Sequence, residues 1–504
     1  MNRPAAARPA ETVLLTNARP PAGVDAAARS EPVDLLIRDG VVGEVRPAGA
    51  SHRDDVHQRY DAAGRTVLPG LWDHHVHFTQ WVIGQQRIDL SSAGSAAETL
   101  ELVAAAAQRK VEARLTGFGF RDGLWPEPPT LEALDAATGE IATVLVSADL
   151  HCMWINSAAQ RQLGARTDSS GLLRETESFA VLERLDSAAD LTAEDYRRAA
   201  AAAAARGVVG VVDFENDDNA ALWPQRVAAG VDSLRAEVSA WPDKLESVID
   251  RGLKTGDVLD PQGLVTMGPL KVIVDGSLNT RTAWCWDPYP GLGAGHPHPC
   301  GVAAVPIEEL SRLLRRAHGA GISAAVHAIG DRANTEVLDT FEGLGLAGRI
   351  EHAQLLRAAD VPRFAQLGLE ASVQPEHAMD DRDVADAYWQ DRTAGAFALR
   401  SLQRSGAALR LGSDAPVSPL DPWVQVAAAV TRSRDGRPAW HPEQSIDAAA
   451  ALAASTRTGL QLSPGDPADL ILVDADPLTA PPQQLRGMEV AATMLAGRFT
   501  HFTL

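Results

Sequence analysis

Residues 71–78, LWDHHVHF, read as a β-strand that ends in histidines. His75 and His77 stand at i and i+2, so they point to the same side of that strand. Seven further apolar, β-branched runs follow: GVVGVVDFE (207–215), LRAEVSAW (234–241), LKVIVDG (270–276), ISAAVHAI (322–329), RIEHAQLL (349–356), LEASVQPE (369–376) and ALRLGSDAP (408–416). Ala/Leu-rich helical segments separate them, the pattern of βα repeats on a parallel sheet. Eight such strands close a barrel. The expected fold class is therefore α/β, a distorted (β/α)8 TIM barrel.

One more run, IATVLVSADLH, lies between the first and second strands and is placed in an insertion at about residues 80–205. The first 60 or so residues give short strands, TVLLTNA and VDLLIRDGVVGEV, the second with an Asp-Gly hairpin signal. The C-terminus offers ADLILVDAD and VAATMLAGRFTHF. Neither end has enough core to stand alone. Residues 1–62 and 461–504 are expected to combine into one β-sandwich flanking a barrel of residues 63–460.

The chain has 504 residues, 45% hydrophobic and 22% charged, with a net charge of −20. A surface of that sign repels nucleic acid and anionic membranes, so neither is an expected partner. Cys152, Cys285 and Cys300 form no CxxC pair, and their odd number argues against a disulfide framework. The first residues lack the apolar core of a signal peptide, and no run of about 18 apolar residues is present. The expectation is a cytoplasmic protein acting on a small molecule, with a homodimer as the default assembly.

In a parallel barrel, function sits at the C-terminal ends of the strands. There the sequence places His75 and His77, Lys271 at the start of VIVDG, His327 after SAAV, His352 after RIE and Asp414 after RLGS. Singly, each has a plain structural explanation, such as a hydrogen-bonded core histidine or a helix cap. Together, His-x-His, two more strand-end histidines and a strand-end aspartate make a divalent-metal site. Neutral imidazoles and a carboxylate suit Zn²⁺, with Fe²⁺ or Mn²⁺ as alternatives. Two ions about 3.5–4 Å apart could hold one hydroxide between them, and Lys271 could bridge them once carbamylated by CO₂. Asp414 beside that water could take its proton and pass it to a leaving nitrogen. Metal-assisted hydrolysis of an amide-like bond follows.

At these residues the chain resembles the amidohydrolase superfamily, in particular its N-substituted formamide deformylase-like branch. The segments that carry the resemblance are VLPGLWDHHVH (67–77), LKVIVDGSLNTRTA (270–283), VHAIGDRAN (326–334), RIEHAQLL (349–356), SVQPEH (372–377) and LGSDAPVSPLDPW (411–423). The resemblance implies that His75, His77 and Asp414 hold one metal, that His327 and His352 hold a second, and that Lys271 bridges as a carbamate. Within the insertion, SADLHCMWINSAA and GLLRE resemble branch segments that bring His151, Trp154, Asn156 and Glu175 to the pocket. For Trp154 the insertion's own core is the competing place, and Glu175 competes with Lys271 as bridging carboxylate. Arg281 and Arg332 are candidate anion or carbonyl holders, with surface ion pairing as the alternative.

Two rival functions share this evidence. A mononuclear deaminase, or an esterase or lactonase, would use the same barrel with different chemistry. A non-catalytic scaffold would have lost ligand residues, and none is lost here.

Overall fold

The computed structural model describes residues 12–23, 31–50, 56–85, 87–109, 114–120, 122, 125–147, 152–174, 177–178, 181, 191–293 and 295–504. Its centre is a parallel sheet of eight strands: β1 (Leu71–Val76), β2 (Val208–Asp213), β3 (Arg235–Ala240), β4 (Val265–Ile273), β5 (Ala324–Ala328), β6 (Arg349–His352), β7 (Glu370–Val373) and β8 (Ala408–Leu411). They pair in chain order from β1 to β8. A parallel bridge between Val76 and Ala415 brings the last strand back to the first, and Asp414 N–H donates to the His75 carbonyl at 2.7 Å. The eight runs picked out by composition are these eight strands. Their continuous hydrophobicity follows from burial on both sides, as in the fully buried VVGVVD of β2.

The covering helices are amphipathic. In Ile307–Gly319 the buried residues are Leu310, Leu313, Leu314 and Ala317, spaced i, i+3, i+4, i+7. Among the described residues no helix is long and apolar enough to cross a membrane.

The described residues form two compact units, one within Met1–Phe78 and Tyr196–Leu504, the other within Thr79–Asp195. The second unit carries a five-stranded sheet whose middle strand, Ala142–Ser147, is the extra run noted in the sequence. The alanine-rich helix Ala193–Ala204 lies within the stretch of about 80–205 assigned to the insertion. From Tyr196 onward it falls in the barrel's unit, burying Ala199, Ala200, Ala203 and Ala204.

Two four-stranded sheets flank the barrel. One takes Thr12–Ala18, Val33–Arg38, Val41–Pro47 and Gln58–Asp61; the other takes Thr66–Pro69, Leu470–Val473, Val490–Leu495 and Arg498–Phe502. Leu15, Leu35 and Ile37 from one end share an apolar core with Leu470, Leu472 and Met494 from the other. Thr66–Pro69, grouped with the barrel by sequence, pairs antiparallel with Leu470–Val473 and so belongs to the flanking sheets. The Asp39-Gly40 turn has φ of 51° and 78°, as the hairpin signal requires. A Cβ on Gly40 would also sit 2.8 Å from the Ala496 carbonyl oxygen, so the two ends of the chain meet through that glycine.

Candidate active site

His75, His77, Lys271, His327, His352 and Asp414 all line one cavity of about 300 Å³ at the C-terminal ends of the strands. His75 lies in β1 and His77 just beyond it. Lys271 lies in β4, His327 in β5 and His352 at the end of β6, while Asp414 follows β8. The closing strand must approach β1 closely here. A Cβ on Gly412 would fall 2.6 Å from the His75 backbone nitrogen, so the glycine of LGSD makes room for His75 and Asp414 to meet. Asp73 ties the same seam, its Oδ1 accepting from the N–H of Ser413 (2.8 Å) and of His75 (3.1 Å).

Asp414 is the hub. Its Oδ1 lies 3.4 Å from Nε2 of both His75 and His77, and its Oδ2 lies 4.0 Å from Nε2 of His377. On its far side, His75 places Nδ1 2.7 Å from Oε2 of the buried Glu351. A carboxylate there accepts the Nδ1 proton and leaves the Nε2 lone pair facing the cavity. Lys271 Nζ is 3.3 Å from that same Nε2 and sits 4.3 Å above the centre of the Phe214 ring.

The donor atoms form two groups that share Asp414. Those of His75, His77 and Asp414 lie within 4.8 Å of one another, and so do those of His352, His377 and Asp414. Nδ1 of His352 and Nε2 of His377 are buried without a hydrogen-bond partner. Such lone pairs are costly to leave unmatched, and a divalent cation would match them. Imidazole nitrogens with a carboxylate are a zinc-type donor set. These residues therefore fit a divalent metal.

His377 and Glu351 were not singled out from the sequence, although both lie in quoted motifs, SVQPEH and RIEH. His377 starts a helix (His377–Tyr388) instead of ending a strand, so a search of strand ends passes over it. His327 packs its ring edge-on to His352 at 4.5 Å between centroids. Its Nε2 turns toward the loop after β4, 3.4 Å from the Gly276 carbonyl and from Asp275 Oδ1, and it is in neither three-residue group.

Burial is the first influence on every charge here. It lowers His75 to about 4, with Lys271 adding to the effect. It holds His352 well below the ordinary histidine range, helped by His327. It brings Lys271 down to about 8. Burial alone would raise Asp414, but His75, His77 and His352 pull it well below the ordinary carboxylate range. Burial lowers His77 as well, but its hydrogen bond to Asp414 outweighs this and raises it. The cluster thus sets neutral His75 and His352 beside an ionised carboxylate, the protonation states that metal binding needs. The backbone is strained at the same point. His352 has φ 71° and Asp414 φ 55°, left-handed conformations that non-glycine residues seldom adopt, at roughly 1–3 kcal/mol each.

The remaining sequence candidates lie elsewhere or outside what is described. Trp154 is fully buried in the insertion's own core, its indole N–H donating to the Thr130 carbonyl at 3.2 Å. It is a packing residue there, and its ring has no free face to offer a substrate. Asn156 caps the helix Ser157–Leu163. His151 and Glu175 fall outside the described residues. Arg332 stacks over Trp284 (4.4 Å) and Trp286 (4.7 Å), and Arg281 lies 5.2 Å from the Tyr388 ring. Neither arginine is among the cavity's lining residues; each is held on aromatic faces.

A barrel with this histidine-aspartate cluster at its strand ends defines a metal-dependent hydrolase. The model of the amidohydrolase family matches residues 58–501, and the chain belongs to that family. It is similar to the Protein LONG AFTER FAR-RED 3 of Arabidopsis thaliana, 28% identical with 82% of this chain and 78% of that one covered. It is also similar to the N-substituted formamide deformylase of Arthrobacter pascens, 25% identical over 91% and 92% of the two chains. Among solved structures it resembles an uncharacterized metal-dependent hydrolase from Pyrococcus horikoshii, with TM-score 0.77, 24% identity, and 94% and 99% of the chains covered.

Proposed function

We propose that this chain hydrolyses an amide-type C–N bond of a small molecule, an N-formyl or N-acyl amine or a cyclic amide, with Asp414 as the proton shuttle. The observation that carries this is Asp414 itself: a buried, ionised carboxylate within 3.4 Å of two imidazoles, at the wall of a cavity large enough for a small substrate. His75, His77 and Asp414 would hold one divalent ion. His352, with His377 or His327, would hold a second, with zinc favoured by the donor set and Fe²⁺ or Mn²⁺ as alternatives. A bound ion supplies Lewis-acid polarisation of the substrate carbonyl and lowers the pKa of water beside it.

The protein's own residues do the rest. Glu351 fixes the His75 tautomer through Nδ1. Lys271, lowered to about 8 by burial, has a neutral fraction near neutral pH that can add to CO₂, giving a carbamate and releasing a proton. That would place an anionic bridge next to His75. Asp414 accepts a proton from the attacking water on a carboxylate oxygen and returns it to the nitrogen as the C–N bond breaks. A formamide is favoured within the class because the Arthrobacter relative bears that activity in its name. The sharing of Asp414 by both donor groups also supports a second reading, a one-metal deaminase or an esterase or lactonase.

The test is a panel of N-alkyl formamides, N-acyl amines and cyclic amides offered to zinc-loaded protein, with released amine as the readout. Turnover of at least one, abolished in Asp414→Asn, is expected. Turnover of aminated rings, esters or lactones while every amide stays intact would overturn the amide assignment.

A further inference from the structure

Beyond the donor cluster the cavity is acidic. Asp380 and Asp381 line it, and the only cation among the described lining residues, imidazoles aside, is Lys271. The two aspartates are not equivalent. Asp380 is neutralised by Arg434 at 2.8 Å. Asp381 is half-buried, and neutral amides hold it: Asn279 donates to Oδ1 at 2.9 Å and Gln354 to Oδ2 at 3.4 Å. No arginine or lysine among the described residues pairs with it. A partly desolvated carboxylate kept in place by two amides, with only the His377 imidazole one turn away to offset its charge, is costly unless a ligand completes it.

Its position sets a distance. His377 and Asp381 stand at i and i+4 on the helix His377–Tyr388, one above the other on the same face. One such step is about 6 Å along the axis. The same cavity is also lined by apolar Ile273, Leu278 and Ile329.

We infer that Asp381 is a specificity-determining residue, selecting amides whose amine side carries a second, protonated nitrogen a short apolar spacer from the scissile bond. This rests on the amide-hydrolase reading above. A substrate carboxylate at the same place would meet Asp381 with no guanidinium to receive it, so N-acyl amino acids are disfavoured. The donor cluster fixes the carbonyl, the apolar wall takes the spacer, and Asp381 receives the ammonium in a charge-assisted hydrogen bond.

The test uses three length-matched hydroxamates ending in ammonium, methyl or carboxylate, with affinities for the zinc-loaded full-length protein read by calorimetry. The ammonium compound is expected to bind about tenfold or more tighter than the methyl one, the carboxylate weakest. In Asp381→Asn the three affinities converge, and in Asp381→Glu the ranking returns. Equal binding of all three by the wild type, or a loss in Asp381→Asn that is the same for all three, would overturn the inference. Calorimetry does not need turnover, so the two readings fail separately. Ranked binding with no amide hydrolysed would remove the amide assignment and leave Asp381 as the selector. Amide hydrolysis without ranking would do the reverse.

Discussion

Two charged groups at opposite ends of the barrel sheet, sharing β6, are built on opposite plans. Toward the start of β6 and β7, Arg349 closes on Glu370 at 3.0 Å, and Arg410 of β8 reaches the same carboxylate at 2.8 Å. At the other end, Asp414 is shared among imidazoles, and nitrogens of His352 and His377 have no partner. Glu351 connects the two layers, with Oε2 on His75 and Oε1 3.9 Å from Arg349. The lower charges offset one another without a further ligand, although Arg349 Nη1 and Glu351 Oε1 are also buried without a hydrogen-bond partner. The unpaired donors at the mouth need an ion to complete them, which is why the cluster reads as chemistry and the layer beneath it as structure.

That contrast can be broken in four ways. Asp414→Asn should leave the fold intact and lower kcat by about 10³-fold or more, checked by steady-state kinetics beside circular dichroism; an unchanged rate removes Asp414 as shuttle. Lys271 provides the next effect. Its value is about 8 in the fold and 10.5 when free, so between those pH values the unfolded chain binds more protons than the folded one. The metal-free protein should therefore gain stability as pH rises from about 8 to 10.5, by on the order of 3 kcal/mol, and Lys271→Met should flatten the curve in denaturant titrations. Glu351→Gln should weaken metal affinity by about 10–100-fold, measured by chelator competition, because His75 loses the partner that fixes its tautomer. Glu370→Ala should cost roughly 1–3 kcal/mol of stability and leave kcat unaltered, since this carboxylate is partly exposed and remote from the donors. Metal loss in that last variant would dissolve the distinction between the two layers.

The barrel was legible because burial on both faces writes each parallel strand as an unbroken apolar run, and all eight stood out. The mouth was legible for the same reason: a polar residue such as His327 or Asp414 at the end of such a run is conspicuous. What escaped notice lay off that pattern. His377 starts a helix, and Glu351 hides inside β6 as an ordinary acid until His75 folds against it. Short strands at domain edges were also misgrouped, as with Thr66–Pro69, because four residues of sequence do not say which sheet they join. The arginines of the GDRAN and NTRTA motifs stood out by their motifs alone, while the aromatic faces that hold Arg332 and Arg281 outside the cavity lining cannot be read at those spacings.

The central claim is that Asp414 completes a metal site at the strand ends. Elemental mass spectrometry on protein purified without added metal or chelator tests it most directly, alongside Asp414→Ala. The expected result is about two zinc ions per chain in the wild type, and loss of both in the variant, since Asp414 belongs to both donor groups. A wild-type protein that holds no metal and takes up none when zinc is added would contradict it.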